Sequence, residues 1–519
     1  MKRSFAFMGR AMLLALLLAP SLQATSGQSP TDGGRFCLAS LWHAVEVVEG
    51  AVVDGFHALQ DSVEGFFGVS HHHSRPIFNY DVTIVGFVNA ADGIGNHPIL
   101  FKECLGDQIK MNFLSTRNIP AAVEDAQLGL PRLDMADKHN VGAVSILVDI
   151  LADKALSIYK KVPKSIIKVA YTMFESTQIP RNWVPILNNE FDMAVVPDQF
   201  LVDVYKQSGV SIPVFALPLP LKLHDFLAIQ PESAAHKPFV FGMTGGIWPR
   251  KNHMKVLDAF AAEYGNNKNF KLRLHGRFGD EETILALTSK INELNLTNVE
   301  LIVKPYTRHE YLEFFKSLDC YVFLSMGEGF SITPREALAC AKPCILTNNT
   351  AQMTICDSGA VRVVPADIVV PALFDCHGDD ASIFDDFVYH HGNVENYNAS
   401  YYTIDSIMNL FALNNISLTD LEITELLKTV TVGAQLDCSV ESARQAMRDV
   451  YAHYDHYLKR AKYGREWVKR YLTENLSPKY VSLVKPKAVV LGAVNIISDD
   501  FLMTDSQELY DKYRYILGR

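Results

Sequence analysis

The fold is decided by residues 327–336, Gly327-Glu328-Gly329-Phe330-Ser331-Ile332-Thr333-Pro334-Arg335-Glu336. They follow an apolar run, Cys320-Tyr321-Val322-Phe323-Leu324, and lead into the helix-favouring Ala337-Leu338-Ala339-Cys340-Ala341. This order predicts a buried strand, a glycine-flexible loop and a helix. In an open α/β sheet, ligands bind in the crevice outside the carboxyl ends of the strands. Two carboxylates at that place, Glu328 and Glu336, are suited to holding the hydroxyls of a sugar or ribose.

Each of the two glutamates also has a purely structural interpretation. Thr333-Pro334-Arg335-Glu336 has the Ser/Thr-x-x-Glu form with proline at the first helical position, which is typical of a capping box. Glu336 would then satisfy the backbone amide of Thr333, alone or in addition to a ligand. Glu328 stands between two glycines and caps nothing obvious, so its alternative role is that of an acid at a solvated loop tip.

Composition bounds the class of protein. The chain has 519 residues, which is enough for two to four domains of about 150 residues each. Hydrophobic residues make up 48% and charged residues 20%, which predicts a folded chain rather than long disordered stretches. The net charge is 48 − 58 = −10, which argues against a protein that binds duplex nucleic acid through a basic field.

The first 24 residues predict a signal peptide or an anchor. The basic residues Lys2, Arg3 and Arg10 precede a short apolar run over 11–19, and small residues near Ala24 offer a cleavage site. The run is short for a membrane-spanning helix, which needs roughly 20 residues. We therefore expect an exported or membrane-associated protein, and an uncleaved leader would leave a tethered form, which could face the cytoplasm.

The remainder of the chain divides into four regions. Residues 25–75 predict a linker and helical region, and 76–230 predict a first block in which buried strands alternate with helices. A second alternating block spans 237–440 and contains an insertion of loops and short helices at about 371–430. Helical segments return in 441–519. The predicted strands are Asp81–Val88, Ile109–Ser115, Ala143–Asp149, Ile166–Phe174, Phe191–Val196 and Pro213–Leu217 in the first block, and Phe239–Met243, Phe270–His275, Val299–Val303, Cys320–Leu324 and Pro343–Leu346 in the second.

A turn suited to a diphosphate follows the first strand of the second block. Its sequence is Gly245-Gly246-Ile247-Trp248-Pro249-Arg250-Lys251-Asn252, and it leads into a predicted helix. Backbone amides at a helix N-terminus favour anions, and two glycines permit close approach of the backbone. Arg250 and Lys251 add cationic donors. The alternative is an ordinary strand-to-helix turn with solvated charges.

The first block offers a second glycine loop, Gly93-Ile94-Gly95-Asn96-His97. The third glycine of the dinucleotide fingerprint is missing, and no acid about 20 residues further on clearly ends a second strand, so a nicotinamide-dinucleotide site is disfavoured. We expect this loop to face the crevice between the two domains, with His97 either a ligand contact or a partly exposed structural histidine. Glu175 follows a predicted strand and points at the same crevice, unless it is an ordinary surface acid.

Together these motifs resemble the family 4 retaining glycosyltransferases, glycosyl transferases group 1, which have the GT-B fold. The family's mark is a pair of glutamates separated by seven residues, which Glu328 and Glu336 match, and Pro249-Arg250-Lys251-Asn252 resembles its phosphate-binding turn. The resemblance covers roughly residues 80–365 and is most specific over 239–347. It implies an α/β protein of two Rossmann-like, doubly wound domains that face each other across a cleft, with an insertion and with C-terminal helices over 441–519 that cross back to the first domain.

The resemblance also implies roles for individual residues. Glu336 would bind the ribose of a nucleotide-sugar donor, Glu328 the transferred sugar, and Lys251 the diphosphate. The residues with implied catalytic roles are Glu328, Lys251 and Arg250. Those implied in donor binding are Gly245 and Gly246, through their amides, together with Glu328, Gly329, Phe330, Ser331 and Glu336. Those implied on the acceptor side of the cleft are Gly93, Gly95, Asn96, His97 and Glu175.

The activity implied is that of a retaining, metal-independent glycosyltransferase of the hexosyltransferase type. It would move a sugar from a nucleotide-diphosphate sugar, its donor substrate, to a glycan, lipid or protein acceptor, with no further cofactor and no nucleic-acid partner. Many members carry an arginine six positions before the phosphate lysine; here that position is Gly245, and Arg250 or Arg277 could compensate.

Two alternative functions stay open. A catalytically degenerate GT-B scaffold that binds a glycan or a protein partner is favoured by Gly245 and by the leader, because nucleotide sugars are usually made in the cytoplasm. Another GT-B enzyme, such as an epimerase or a phosphorylase, is the third possibility.

Overall fold

The structure, a computed structural model, describes residues 78–86, 95–115, 141–149, 151, 158–374, 417 and 419–484. The predicted leader, the region 25–75 and Gly93 lie outside the described residues. All described residues fall in a single unit that begins at Phe78.

The first domain is built on a sheet of six parallel strands in the order β2-β1-β3-β4-β5-β6. Each strand is a nearly continuous apolar run, which is what burial on both faces of a parallel sheet requires. All six predicted strands form, with ends that differ by a few residues. Their bounds are β1 Tyr80–Gly86, β2 Met111–Ser115, β3 Gly142–Val148, β4 Ile167–Tyr171, β5 Met193–Val196 and β6 Val214–Ala216.

The second domain repeats this plan with six parallel strands in the order β12-β11-β10-β7-β8-β9. The chain starts at β7, adds strands on one side, and then returns to add the others beside β7 on its opposite side. The strand order therefore reverses between β7 and β10, which makes that gap the topological switch point of the sheet. The strands are β7 Phe239–Thr244, β8 Phe270–Gly276, β9 Val299–Val303, β10 Cys320–Phe323, β11 Cys344–Thr347 and β12 Arg362–Val364.

Helices cover the sheets and bury their apolar faces. For example, Phe260 on the helix after β7 packs on Phe241 with ring centroids 6.3 Å apart. None of the described helices is long and apolar enough to cross a bilayer. Their bounds are α1 His97–Leu105, α2 Trp183–Glu190, α3 Gln199–Gln207, α4 His224–Ala228, α5 His253–Tyr264, α6 Glu281–Glu293, α7 Arg308–Lys316, α8 Ile332–Ala339, α9 Met353–Asp357, α10 Asp420–Val430, α11 Val440–Ala452, α12 Tyr454–Trp467 and α13 Thr473–Val484, with short 3₁₀ turns at Ile158–Lys161, Pro249–Lys251, Thr350–Gln352 and Val468–Tyr471.

The last helices cross back to the first domain, as the resemblance implies. Helix α12 lies on the second domain, where Gly464 leaves room for Leu338. Helix α13 lies on α1 of the first domain: Oγ of Ser477 donates to the carbonyl of Cys104 at 2.6 Å, and the ring of Tyr480 meets that of Phe101 edge-on at 4.7 Å. The C-terminal helices therefore fasten the two domains together.

The described part of the predicted insertion is not made of loops and short helices only. Its two ends form an antiparallel ribbon, β13 Ile368–Leu373 and β14 Thr431–Asp437, with α10 leading directly into β14. Gly433 interrupts the apolar pattern of β14 and hides the strand in the sequence. In the structure Gly433 has a φ of 65° and lies against the first domain, where a Cβ would come within 2.7 Å of Oγ1 of Thr177. The glycine thus marks a close approach of the ribbon to the first domain.

Candidate functional site

The switch point of the second sheet brings two of the predicted motifs together. The glycine turn 245–252 leaves the carboxyl end of β7, and the loop 325–331 leaves that of β10, its hydrogen-bonded neighbour. The amide of Met326 donates to the carbonyl of Arg250 at 2.9 Å. The side chain of Asn252 donates to the carbonyl of Leu324 at 3.1 Å. These bonds fix the turn and the loop side by side at the place where open α/β sheets bind ligands.

The two glycines of the turn do different things. The amide of Gly245 donates to the carbonyl of His275 at 3.1 Å and extends the β7–β8 ladder. The expectation that both glycine amides hold a diphosphate is therefore wrong for Gly245. The amide of Gly246 meets no acceptor in the described part of the chain, so only this amide is available. A Cβ on Gly246 would lie 2.7 Å from Nε1 of Trp248, so the tryptophan requires glycine there.

Glu328 is the centre of the site. Its atom Oε1 accepts hydrogen bonds from three donors: Nζ of Lys251 at 2.6 Å, Nη1 of Arg250 at 3.0 Å and Oγ of Ser325 at 2.6 Å. The carboxylate is 5% exposed, so Glu328 is not the acid of a solvated loop tip. Burial by itself would raise the pKa of Glu328, but the charges of Lys251 and Arg250 outweigh it and hold the pKa below its usual value. Glu328 is therefore an ionised acid at neutral pH.

The backbone of Glu328 is held as firmly as its side chain. The amide donates to Oγ1 of Thr350 at 2.8 Å, and its carbonyl accepts from the amide of Ala351 at 3.2 Å. All three donors to the carboxylate reach Oε1, and no described residue donates to Oε2. Oε1 of Glu328 is thus held by hydrogen bonds from the protein, whereas Oε2 can accept further hydrogen bonds.

The first domain closes directly on the Glu328 loop. Oε1 of Glu175, which follows β4, lies 3.3 Å from Nη2 of Arg250, so the acid faces the crevice and forms an ion pair across it. A Cβ on Gly327 would lie 2.3 Å from the carbonyl oxygen of Glu175, and one on Gly329 would lie 2.9 Å from Cγ of Met173. The two glycines that flank Glu328 are therefore required by the closeness of the first domain.

Glu336 does not form the capping box that its sequence suggests. Helix α8 begins at Ile332, one residue before Thr333, and its N-cap Ser331 has a left-handed φ of 63° and no side-chain capping bond. Glu336 lies in the helix interior, and its Oε2 accepts from the hydroxyl of Tyr311 on α7 at 2.8 Å. Burial raises the pKa of Glu336 to about 7, although the Tyr311 hydrogen bond and the charge of Arg308 lower it. The carboxyl group is thus free of a backbone role.

Arg335 holds the residues between the two glutamates. It is fully buried, and Nη1 donates to the carbonyl of Ser331 at 2.9 Å and also to that of Phe330. Its guanidinium lies 3.9 Å from the ring centroid of Phe330 and 4.6 Å from that of Tyr471. Nη2 lies 4.0 Å from Oδ2 of Asp198 in the first domain. The predicted donor residues Phe330 and Ser331 are therefore packed inward, 3% and 4% exposed, and shape the loop from behind.

The predicted residues of the first glycine loop are only partly described. Gly95 and Asn96 precede α1, which starts at His97 beside the carboxyl end of β1. His97 is buried, at 4% exposure, so it is not the partly exposed structural histidine of the prediction, and its role as a ligand contact stays a prediction. The strand order of the first sheet reverses between β1 and β3, so these residues lie at the switch point of their own sheet.

The two arginines that could replace a charge at Gly245 differ in position. Arg250 is already paired with Glu328 and Glu175 inside the crevice. Arg277 lies on the loop after β8, with its guanidinium 5.2 Å from the ring centroid of Phe278, and forms no ion pair within the described ranges. Phe278 lies 3.4 Å from the Cβ position of Gly246, so the loop that carries Arg277 packs against the glycine turn.

Three residues that sequence reasoning missed complete the site. Ser325 donates to Glu328, and Tyr311 donates to Glu336. Gln435 on β14 is 4% exposed and packs on the Glu328 loop, with its Cγ 3.3 Å from the Cβ position of Gly327. Ser325 stands beside the motif and could have been found by its nearness to it. Tyr311 and Gln435 come from distant segments and have no sequence signal. Across the described ranges no group of three His, Cys, Asp or Glu side chains is placed to hold a metal ion.

One family model matches part of the chain. Residues 226–366 match the family described as glycosyl transferases group 1. This segment contains the whole second sheet, the turn after β7 and both glutamates, and it ends before β13. The match confirms the predicted resemblance over this segment, whereas the narrower assignment to family 4 stays a prediction. No curated protein matches the chain by sequence.

Several solved structures are similar in fold. Sucrose-phosphate synthase from Thermosynechococcus elongatus matches with a TM-score of 0.50 at 13% identity, over 78% of this chain and 98% of that one. A glycosyltransferase from Rickettsia africae matches at 0.49 and 13%, over 79% and 98%. HepE from Anabaena in complex with UDP-glucose matches at 0.48 and 11%, over 78% and 99%. At such identities the likeness concerns the fold alone. The two parallel sheets and the match to sucrose-phosphate synthase confirm the predicted GT-B architecture of two Rossmann-like domains.

Proposed function

Because its second domain is that of a group 1 glycosyl transferase, we propose that this chain is a retaining, metal-independent glycosyltransferase. It moves a sugar from a nucleotide-diphosphate sugar to a glycan, lipid or protein acceptor. The observation that carries the proposal is the cluster of Lys251, Arg250 and Ser325 around Oε1 of Glu328, at the switch point of the second sheet.

The cations of the cluster are suited to the leaving group. When the bond from the sugar to the diphosphate breaks, negative charge grows on the diphosphate oxygens, and fixed cations at that point lower the barrier. Lys251 is held at the start of α5 beside the available amide of Gly246. As the donor binds, the diphosphate takes the Lys251 ammonium from Glu328. Arg277 stands on the neighbouring loop, where its neighbour Phe278 packs against Gly246, and supplies a further charge from there.

The two acids are suited to the hydroxyls of the donor. When the Lys251 ammonium moves from Glu328 to the phosphates, Glu328 keeps its hydrogen bonds from Arg250 and Ser325. Its second oxygen, Oε2, can then accept a hydrogen bond from the transferred sugar. Glu336 keeps its Tyr311 hydrogen bond on Oε2. Its other carboxylate oxygen then accepts from the ribose. An ionised carboxylate gives strong, charge-assisted hydrogen bonds to hydroxyl donors.

Retention of configuration follows best from attack on the same face as the departing diphosphate. A double displacement needs a carboxylate nucleophile and a separate acid, but Glu328 and Glu175, the two acids beside the cations, are both tied to Arg250. In front-face attack the acceptor oxygen bonds to the anomeric carbon as its bond to the diphosphate breaks. The acceptor proton passes to the departing diphosphate, so no protein base is needed.

The test is turnover of a panel of nucleotide-diphosphate sugars by the purified protein, with release of nucleoside diphosphate as the readout. Lys251→Met should slow release about 100-fold, because one cation at the leaving group is lost. Lys290→Met is the matched control, since Lys290 forms a half-exposed pair with Asp258 elsewhere in the same domain. Equal rates for the two variants would contradict the role of Lys251.

A second candidate function is a GT-B scaffold that binds a glycan or a protein without catalysis. One observation favours it: the two cations Arg250 and Lys251 are matched by the two acids Glu328 and Glu175, so the cluster carries no net charge for a diphosphate. Calorimetry with the same donor panel separates the two functions. Donor binding without turnover, or a glycan ligand without donor binding, would support the scaffold.

A further inference from the structure

We propose that a cavity between the first domain and the inserted α10–β14 segment binds the acceptor, and that this acceptor is a saccharide with a carboxylate or phosphate group. The inference rests on the proposed transferase function and names its acceptor class. The cavity has a volume of about 680 Å³. Its walls are formed by Gln178 and Arg181 of the first domain and by Thr424, Lys428 and Gly433 of the insertion.

One wall of the cavity is a single face of α10. The lining positions Thr424, Leu427 and Lys428 follow the spacing of three and four residues that aligns side chains along a helix, and Thr431, the first residue of β14, lies next to them. The helix is fixed at its start by a capping box between Thr419 and Glu422. This wall of the cavity therefore presents the Lys428 cation and the partly exposed Leu427 from one helix.

The opposite wall is fastened to β14 by hydrogen bonds. The amide of Thr177 donates to the carbonyl of Ala434 at 3.1 Å, and the amide of Ala434 donates to Oγ1 of Thr177 at 2.9 Å. Oγ of Ser176 donates to the carbonyl of Val432. The cavity is thus a built feature of the fold, because both its walls are tied to one strand.

The same strand connects the cavity to the donor site. Gly433 lines the cavity, and two residues further on Gln435 packs against Gly327, a distance of about 7 Å along a strand. The next amide, that of Leu436, donates to the carbonyl of Met326 at 2.9 Å. The cavity therefore lies about two residues along β14 from the crevice that contains Glu328.

The polar groups of the cavity select an anion. Arg181 is exposed and pairs with no carboxylate in the part of the chain that the structure describes. Lys428 has one surface partner, Glu425, with both side chains more than 60% exposed at 64% and 61%, and such pairs are weak. The hydroxyls of Thr424 and Thr431 already donate to backbone carbonyls at 2.7 and 2.5 Å, so toward a ligand they can only accept hydrogen bonds.

The remaining lining groups fit a sugar. The donors available to a ligand are therefore the two cations and the amide of Gln178, and cations bind carboxylates and phosphates most strongly. Leu427 adds an apolar surface for a sugar ring. Helix α10 and strand β14 lie outside the segment 226–366 that matches the family model.

The experiment measures saccharide binding to the full chain by calorimetry, without any donor. The probes are trigalacturonate, maltotriose with a terminal 6-phosphate, and neutral maltotriose, which separate a carboxylate from a phosphate and both from an uncharged chain. We expect at least one anionic probe to bind about tenfold more tightly than maltotriose, the worth of one charge-assisted contact. Arg181→Gln and Lys428→Gln should each lose most of that preference.

The control is Glu425→Gln, which breaks the same surface pair as Lys428→Gln but removes the opposite charge. If the cavity binds an anion, the Glu425→Gln protein should bind the anionic probe as tightly as wild type or more tightly. A purely structural role of the pair predicts a loss in both variants, and that result would overturn the inference, as would equal binding of neutral and anionic probes. Because no donor is present, anion-selective binding without nucleoside diphosphate release would count against the transferase alone. Release without anion selectivity would count against the acceptor class alone.

Discussion

Nζ of Lys251 lies 2.6 Å from Oε1 of Glu328, so the cation that we propose for the diphosphate and the acid that we propose for the sugar form an ion pair with each other. The pair is buried, with side-chain exposures of 18% and 7%. A buried pair of this kind is costly to break on one side only, because the remaining charge loses its partner. In the proposed function, donor binding avoids that cost, because the diphosphate takes the place of Glu328 beside Lys251 and a sugar hydroxyl takes the place of Lys251 beside Glu328. The ion pair itself holds the two side chains in a fixed position.

Gly327 should tolerate no side chain. In Gly327→Ala the new Cβ would lie 2.3 Å from the carbonyl oxygen of Glu175, which is backbone and cannot rotate away. We expect the first domain to shift from the Glu328 loop, with a stability loss of roughly 2–3 kcal/mol and a large loss of transfer. Gly359→Ala is the control, because its Cβ would meet nothing within 4 Å and only its left-handed φ of 75° adds strain. Urea unfolding of both variants measures the difference, and a larger loss for Gly359→Ala would refute the close approach.

Glu336 should make stability fall as pH rises toward neutrality. Burial raises its pKa from the ordinary 4.5 to about 7 in the folded protein. Between these values the folded protein holds a proton that the unfolded chain has released. The stabilising contribution is therefore complete below about pH 4.5 and is lost as pH rises through about 7.

Glu336→Gln removes this dependence. Relative to wild type, the variant should gain on the order of 1–2 kcal/mol between pH 5 and pH 8, allowing for partial exposure of the carboxyl group. Denaturant unfolding at the two pH values measures this change in the free energy of unfolding. Glu313→Gln, which removes an exposed acid, is the control. Donor affinity should also rise through pH 7 in wild type and stay flat in the variant. Parallel pH curves for wild type and Glu336→Gln would contradict the assignment.

Arg335 should be irreplaceable by lysine because it holds the loop between the two glutamates. Its planar fork donates to the carbonyls of Phe330 and Ser331 and stacks on two rings, which an ammonium group cannot reproduce. We expect Arg335→Lys to lose about 2–4 kcal/mol of stability. Arg460→Lys also gives up two bonds to backbone carbonyls, those of Gly359 and Val361, but at the surface. It should lose less than about 1 kcal/mol, and equal losses in thermal or urea unfolding would show that burial of Arg335 is immaterial.

Much of the fold was predictable because buried parallel strands have a recognisable sequence pattern. Runs such as that of β10 are apolar throughout, since both faces of the strand are covered by helices, and no partner needs to be known to recognise them. The antiparallel ribbon was not predictable in this way. Strand β14 is interrupted by Gly433. A glycine is needed there because the strand contacts Thr177, which is more than 250 positions away in sequence.

The site was predictable where its residues share one segment. The turn containing Lys251 and the loop containing Glu328 could each be interpreted alone, and the strand order brings them together. The capping box was a misleading local pattern because α8 starts earlier than Pro334 suggests. The amide of Gly245 is used by the neighbouring strand, which only the register of β7 and β8 reveals. The predicted leader over residues 1–24 stays a prediction, and N-terminal sequencing of the mature protein decides it.

The most direct test of the central claim is nucleoside diphosphate release by wild type and by Glu328→Gln across the panel of nucleotide-diphosphate sugars. Glutamine keeps the shape of the side chain but removes the charge that Lys251 and Arg250 hold in place. Glu300→Gln is the control, because Glu300 pairs with Lys271 and Arg273 at the half-exposed edge strand β9. We predict release by wild type and by the control with at least one donor, and a loss of about 100-fold or more in Glu328→Gln. Equal release by wild type and Glu328→Gln, or no release by wild type with any donor, would contradict the account.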